Sequence, residues 1–270
     1  MKTSPISQKS LDVEALDVPG FRFESSRILA LRRVLQKPKT EQSAWGWLFT
    51  RRISIYVTLL LSRTSVTPNQ LTFSSIFIGL AAALLWTIGS HLCFIIGGIL
   101  FQLMYLFDCV DGELARYKNM SSPKGAYVDF VGHYFTGFAM IVGASLGLTK
   151  SLGIVMLYFG LVIAIFHLGD ELLRDLLYKA KLKFGTGPDF KELEEKFSFR
   201  SEGLSSRVFR FVGLMAGSMG FYGGMLMAAT IDLWFDSNFV KIGLMIAWGM
   251  LCLIRFTVRF WRIYDKAFAF

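Results

Sequence analysis

Apolar residues in this chain come in long blocks, not in the short alternation of a half-buried strand or the narrow stripe of a soluble helix. Six blocks run roughly over 69–88, 92–117, 125–148, 151–176, 207–231 and 239–262. Each can supply the ~20 helical residues that cross a hydrocarbon core of about 30 Å. The pattern predicts an all-α integral membrane fold with six transmembrane helices. Residues 41–63 obey a different rule. Trp45, Leu48, Phe49, Ile53, Tyr56 and Leu60 keep a helical period, while Arg51, Arg52 and Ser54 fall elsewhere on the wheel. A tryptophan-bearing helix with arginines beside a span predicts an amphipathic helix lying in the headgroup layer. The alternative is an ordinary extension of a core helix. Residues 1–40 predict a polar cytoplasmic tail, partly disordered and with one short helix at most. The chain thus divides into that tail and one membrane domain over 41–270.

Local signals punctuate the blocks. Thr67 suits an N-cap, Pro68 the first helical position and Gln70 the capping box of the first span. The N–H groups at such a helix start suit a phosphate or a polar ligand edge, unless Thr67–Asn69 is a helix start and nothing more. Gly185–Asp189, in the polar stretch 178–206, marks a turn, and Asp189 suits the cap of a short surface helix.

Composition agrees with the pattern. The chain is 53% hydrophobic and 18% charged, with a mean hydropathy of +0.48. Its net charge of +9 is distributed unevenly. All but Lys150 and Lys241 of its 29 lysines and arginines fall on one side of a six-span topology. That asymmetry predicts both termini on the cytoplasmic face. It also assigns the positive charge to orientation and anionic lipid headgroups, not to nucleic acid. Cys93, Cys109 and Cys252 lie in apolar blocks without metal-ligand spacing and predict packing residues, not a disulfide framework. The first 40 residues contain no apolar run of the kind a cleavable signal peptide needs.

The chemistry concentrates between Asp108 and His133, where the second span ends and the third begins. Asp108 and Asp111 are three residues apart, so both carboxylates share a helix face. Gly125, Asp129 and His133 are successive four-residue steps and also share a face. Two such helix ends facing each other would gather three carboxylates around one point, an arrangement that hard divalent cations favour. Ionisable groups near a membrane are costly unless paired, hydrated or metal-bound. Gly112 and Gly125 would let backbone approach a bulky ligand. Arg116 suits a two-pronged contact with phosphate. On the predicted topology the cluster opens to the cytoplasm.

This stretch closely resembles the signature of the CDP-alcohol phosphotransferase family, D-x-x-D-G-x-x-A-R-x8-G-x3-D-x3-D. Asp108, Asp111, Gly112, Ala115, Arg116, Gly125 and Asp129 match it in identity and spacing. Thr67–Asn69 before a span and the preceding amphipathic helix are also similar to that family, so the resemblance covers about 41–262. It implies transfer of a phospho-alcohol group, phosphatidyl above all, from a CDP-alcohol to an acceptor hydroxyl, with release of CMP, in phospholipid synthesis. It implies Asp108, Asp111 and Asp129 as ligands to Mg²⁺ or Mn²⁺, two ions in all. Asn69, Gly112, Ala115, Arg116 and Gly125 would line the nucleotide and diphosphate pocket. CDP-diacylglycerol is the implied donor, a polyol or polyol phosphate the implied acceptor, and a homodimer the implied assembly. The stretch before the first span is similar to the branch that makes inositol-phosphate esters.

One position departs from the signature. Its last residue, an aspartate thought to act as base toward the acceptor, is His133 here. A neutral imidazole accepts a proton and ligates metals, but supplies no negative charge. Three readings follow: an enzyme with His133 as base or metal ligand, an enzyme in which His133 only shapes the acceptor pocket, and a catalytically impaired nucleotide- or lipid-binding scaffold. A transporter using intramembrane aspartates is a further alternative, opposed by their clustering at a helix end rather than the midplane. Asp170, Glu171, Arg174 and Asp175 predict a solvated or ion-paired end of the fourth span, His167 a core histidine, and Trp261 and Tyr264 interface anchors. Lys118 and Lys124 border the cluster and suit either phosphate attraction or topology.

Overall fold

The structure is a computed structural model that describes residues 19–21, 23–37, 45–183 and 217–267. The regular elements among the described residues are all helical. Helix α1 spans Ser26–Leu35. A π-helical turn at Gly46–Thr50 leads into α2, Arg51–Ser62. The long helices follow: α3 Pro68–Thr87, α4 His91–Tyr117, α5 Pro123–Leu152 and α6 Val155–Lys183. After them come α7, Ser218–Phe235, and α8, Phe239–Ala267.

Five of these helices are long and apolar enough to cross a membrane: α3, α4, α5, α6 and α8. This makes a multi-pass membrane protein. The fifth expected span, 207–231, coincides in part with α7, which is not among the five. Residues 207–216, the Gly185–Asp189 turn and its expected surface helix lie outside the described residues.

The chain forms two compact units. One comprises 1–75 and 104–129, the other 76–103 and 130–270. In the first, Leu71, Val110 and Leu114 are buried, with Val57, Leu61, Val66, Leu106 and Phe107 packed on them. Beside this apolar cluster lies a polar core. Glu113 is fully buried and accepts from Arg51 Nη1 at 2.9 Å, Ser54 Oγ at 2.5 Å, Thr58 Oγ1 at 2.9 Å and Gln36 Nε2 at 3.0 Å. Arg51, Ser54 and Thr58 lie at i, i+3 and i+7, so one face of α2 presents them all to Glu113. The other face of α2 is apolar and exposed, through Ile53, Tyr56 and Leu60.

The α3 start is a reciprocal capping box. The Thr67 N–H donates to Gln70 Oε1 at 2.9 Å and the Gln70 N–H to Thr67 Oγ1 at 3.4 Å, as the spacing predicts. The α4 end is a Schellman-type turn: Met120 N–H donates to the Ala115 carbonyl, Asn119 N–H to the Arg116 carbonyl, and Asn119 takes the left-handed conformation at φ 53°. Lys118 stays beside this turn and donates to the carbonyls of Thr64 and Val66. It thereby ties the α2–α3 link to the end of α4.

The second unit has an aromatic core. Buried Trp86 packs on Phe94, Phe101 and Phe221, and Phe221 on Trp248. Gly143 and Gly147 of α5 lie against the carbonyls of Ala83 and Trp86 of α3, where any side chain would collide with backbone. Small residues four apart let membrane helices approach this closely. Asp232 near the end of α7 accepts from the N–H groups of Val240 and Lys241, capping α8, and pairs with the buried Lys241 ammonium at 3.1 Å. Lys241, one of the two lysines set apart by the charge count, is therefore a buried ion-pair partner.

Candidate active site

On α4, Asp108, Asp111, Gly112 and Ala115 project within one sector of the helix because their spacings return close to the same angle at 100° per residue. Glu113 points away from that sector, toward α2. Asp111 is buried at 7% exposure and accepts from Thr72 Oγ1 of α3 at 2.6 Å. Thr72 Oγ1 also lies 3.2 Å from the Pro68 carbonyl oxygen, so its single proton is shared between the first turn of α3 and this carboxylate. Asp108 and Asp129 are both close enough to act on the Asp111 charge.

Asp129 stands in the second turn of α5 and is half-buried, like Asp108. A carboxylate oxygen of Asp108 and one of Asp129 lie within 4.8 Å of each other, and the exposed His133 ring, one turn on from Asp129 along α5, reaches within 4.8 Å of the Asp129 carboxylate. Like charges this close repel, and a divalent cation between them would offset the repulsion. The donor set of carboxylate oxygens and one imidazole nitrogen fits Mg²⁺ or Mn²⁺.

The remaining motif residues frame the same region of the first unit. Gly125 lies beside Asn69: a Cβ at Gly125 would stand 3.0 Å from Asn69 Oδ1 and 3.2 Å from Ser122 Oγ. The first turns of α3 and α5 thus meet where glycine leaves room. The Arg116 guanidinium lies over Gly112, with both terminal nitrogens 3.5 Å from where a Cβ would be. Its Nε donates to the Leu35 carbonyl at 2.6 Å, while Nη2 is buried without a hydrogen-bond partner among the described residues.

Residues 65–186 match the CDP-alcohol phosphatidyltransferase family. Those residues are a CDP-alcohol phosphatidyltransferase domain. CDP-alcohol phosphatidyltransferases transfer substituted phosphate groups and use divalent metals. Among curated relatives, the "Bifunctional IPC transferase and DIPP synthase" of Thermococcus kodakarensis is 37% identical over 103 residues, covering 37% of this chain and 23% of that protein. The matched region thus spans less than a quarter of that relative's length. Among solved structures, the phosphatidylinositol phosphate synthase of Mycobacterium tuberculosis with CDP-DAG bound is similar in fold, with a TM-score of 0.53 at 16% identity, over 79% of this chain and 94% of that one. The same enzyme in complex with manganese and citrate gives 0.53 at 15%, over 79% and 90%.

The CDP-alcohol phosphatidyltransferase motif does not name every residue that shapes the region. Glu113, Thr72, Gln36 and Arg32 are missing from the sequence reading. Glu113 carried a signal: it is a lone acid 200° around the helix from Asp111, opposite a polar stripe on α2. Thr72, Gln36 and Arg32 carried none, because their partners are 39, 77 and up to 20 residues away.

Away from the motif, Asp170 is 2% exposed and paired with Arg255 at 2.5 Å and Arg259 at 2.8 Å, the ion-paired form of the predicted helix end. Asp175 accepts from Tyr134 Oη at 2.6 Å. His167 is a core histidine at 5% exposure, packed on Trp248 and 3.3 Å from Ser218 Oγ.

Proposed function

We propose that this protein transfers a phosphatidyl group from CDP-diacylglycerol to a hydroxyl of a polyol or polyol phosphate and releases CMP. The observation that carries this reading is the approach of the Asp108 and Asp129 carboxylates, with His133 one turn beyond, inside a CDP-alcohol phosphatidyltransferase domain. The fold shared with a phosphatidylinositol phosphate synthase that holds CDP-DAG supports the donor.

In this reading Asp108, Asp111 and Asp129 would hold two Mg²⁺ or Mn²⁺ ions, and His133 stands beside them as the base rather than as a ligand. When bound, such ions screen the diphosphate and make its phosphorus more electrophilic. Asn69, Gly112, Ala115, Arg116 and Gly125 line the nucleotide and diphosphate pocket; the buried Nη2 of Arg116 supports a phosphate oxygen as its missing acceptor. His133 takes the proton of the acceptor hydroxyl as its oxygen attacks the phosphorus that bears the diacylglycerol. The bond from that phosphorus to CMP breaks, and CMP leaves with the electron pair. A neutral imidazole accepts a proton, which suits the role of general base.

The membrane placement belongs to the same proposal. Helix α2 and the π-helical turn before it lie in the headgroup layer, with exposed Leu48, Phe49, Ile53, Tyr56 and Leu60 toward the acyl chains. Helix α7 completes six spans, both termini and the site face the cytoplasm, and two copies form a dimer. The one-sided distribution of lysine and arginine supports the orientation.

The test is CMP release by purified protein in lipid nanodiscs with CDP-diacylglycerol, Mn²⁺ or Mg²⁺, and a panel of inositol, inositol phosphate and glycerol phosphate. Metal-dependent release with one acceptor is expected. His133→Ala should lower kcat by about 10²-fold or more, the usual contribution of a general base. His133→Asp should keep more activity than His133→Ala. Metal-dependent stabilisation by CMP without release under any acceptor overturns the enzyme reading in favour of a nucleotide-binding scaffold, the alternative that the His133 substitution raises.

A further inference from the structure

The candidate site has a support that the family motif does not contain. Helix α1, at Ser26–Leu35, lies within the stretch that sequence alone marked as a polar tail. Its C-terminal end contacts the motif helix at two points. The carbonyl of Leu35, the last residue of α1, accepts from Arg116 Nε at 2.6 Å. The next residue, Gln36, donates through Nε2 to the buried Glu113 carboxylate at 3.0 Å. A final-turn carbonyl has no partner within its own helix and carries part of the negative end of the helix dipole, so a guanidinium is a natural companion.

Helix α1 is itself fastened. Arg32 is fully buried and uses every guanidinium nitrogen. Nη1 donates to the Arg51 carbonyl at 2.7 Å, and Nη2 to the Arg52 carbonyl at 2.8 Å. Nε and Nη2 fork onto Glu24 at 2.8 and 2.5 Å. Gln36 Nε2 also reaches the Arg51 carbonyl at 2.8 Å. These carbonyls begin α2 just after the π-helical turn at Gly46–Thr50. Arg32 therefore fixes α1 to α2, and α1 in turn fixes the orientation of Arg116 over Gly112.

We propose that the segment Glu24–Gln36 is a positioning element of the active site, which aims the Arg116 guanidinium at the diphosphate through the Leu35 carbonyl. The inference rests on the reading of Arg116 as a diphosphate-binding residue. Arg32 and Gln36 touch no substrate; they act through Arg116 and Glu113.

A double-mutant cycle tests it. Affinity for cytidine diphosphate with Mn²⁺ is measured by calorimetry on the full-length protein, wild type and Arg32→Ala, each in an Arg116 and an Arg116→Ala background. Loss of Arg32 should weaken binding about tenfold when Arg116 is present, the scale of outer-shell effects at metal and phosphate sites. It should change binding little when Arg116 is absent, because the group being aimed is gone. Gln36→Ala, a milder change for a protein that tolerates Arg32→Ala poorly, should show the same dependence on Arg116 with a smaller loss. Equal losses in both backgrounds, or none, overturn the positioning role. Wild type that fails to bind cytidine diphosphate overturns the functional reading as well, and so is distinguishable from failure of the positioning role alone.

Discussion

Glu113 and Asp111 are two residues apart on α4, and their surroundings differ in kind. Glu113 is ringed by donors: a guanidinium, two hydroxyls and an amide. Asp111 receives the Thr72 hydroxyl, and its acidic neighbours are Asp108 and Asp129. A buried carboxylate whose lone pairs are met by protein donors serves the fold. A carboxylate gathered with others of the same charge costs stability until a cation joins them. The same chemical group, within one turn of one helix, thus marks a lock on one face and a candidate metal centre on the other.

The sharpest way to break this contrast is to remove one carboxylate from each side. Asp108→Asn should lower CMP release by more than about 100-fold, exceeding the usual cost of an outer-shell change. In metal-free protein it should leave the thermal unfolding temperature unchanged or raised, because a repulsion is relieved. Glu113→Ala should do the reverse in stability, lowering it by about 3–5 kcal/mol by leaving Arg51 buried without its carboxylate. Unfolding in detergent, followed by circular dichroism, reads both. Equal destabilisation by the two substitutions would erase the distinction.

Thr72→Val sharpens it at smaller scale. It removes one hydroxyl from Asp111 and should cost about 1 kcal/mol of stability, while changing the Mn²⁺ concentration needed for half-maximal activity. The smallest effect belongs to the Arg32 fastening. Burial alone would push the Glu24 carboxyl up, but its hydrogen bonds from Arg32 and Tyr56 outweigh this and hold it below the ordinary range. Its contribution is therefore complete above the unfolded-state value near 4.5 and is lost as pH falls through the lower folded value. Wild type should lose more thermal stability than Glu24→Gln as pH falls from about 5 to about 3, since only wild type has a carboxylate at position 24 to protonate. Parallel pH profiles would show that Glu24 does not stabilise the docked α1.

The two faces of α2 show why sequence pattern reached only so far. The period separating Leu48, Phe49, Ile53, Tyr56 and Leu60 from Arg51 and Ser54 was legible, and the helix is there. The period did not say what the helix's polar face meets: Arg51, Ser54 and Thr58 are buried on Glu113, and the apolar side is exposed. Amphipathic period reports that two faces differ; it does not say which one meets protein when the surrounding medium is lipid.

The sequence by itself determined the long apolar helices, the capping box at Thr67–Gln70, the spacing of the Asp108–His133 motif, and the family resemblance. These are properties of spacing along one or two helices, where geometry follows from 100° per residue. Only the tertiary structure decided that Thr72 steadies Asp111, that Lys118 serves the α2–α3 link, that Lys241 is a buried ion-pair partner, and that the N-terminal helix holds Arg116. Each of these joins residues far apart in the chain, through single hydrogen bonds or ion pairs that leave no periodic trace in the sequence.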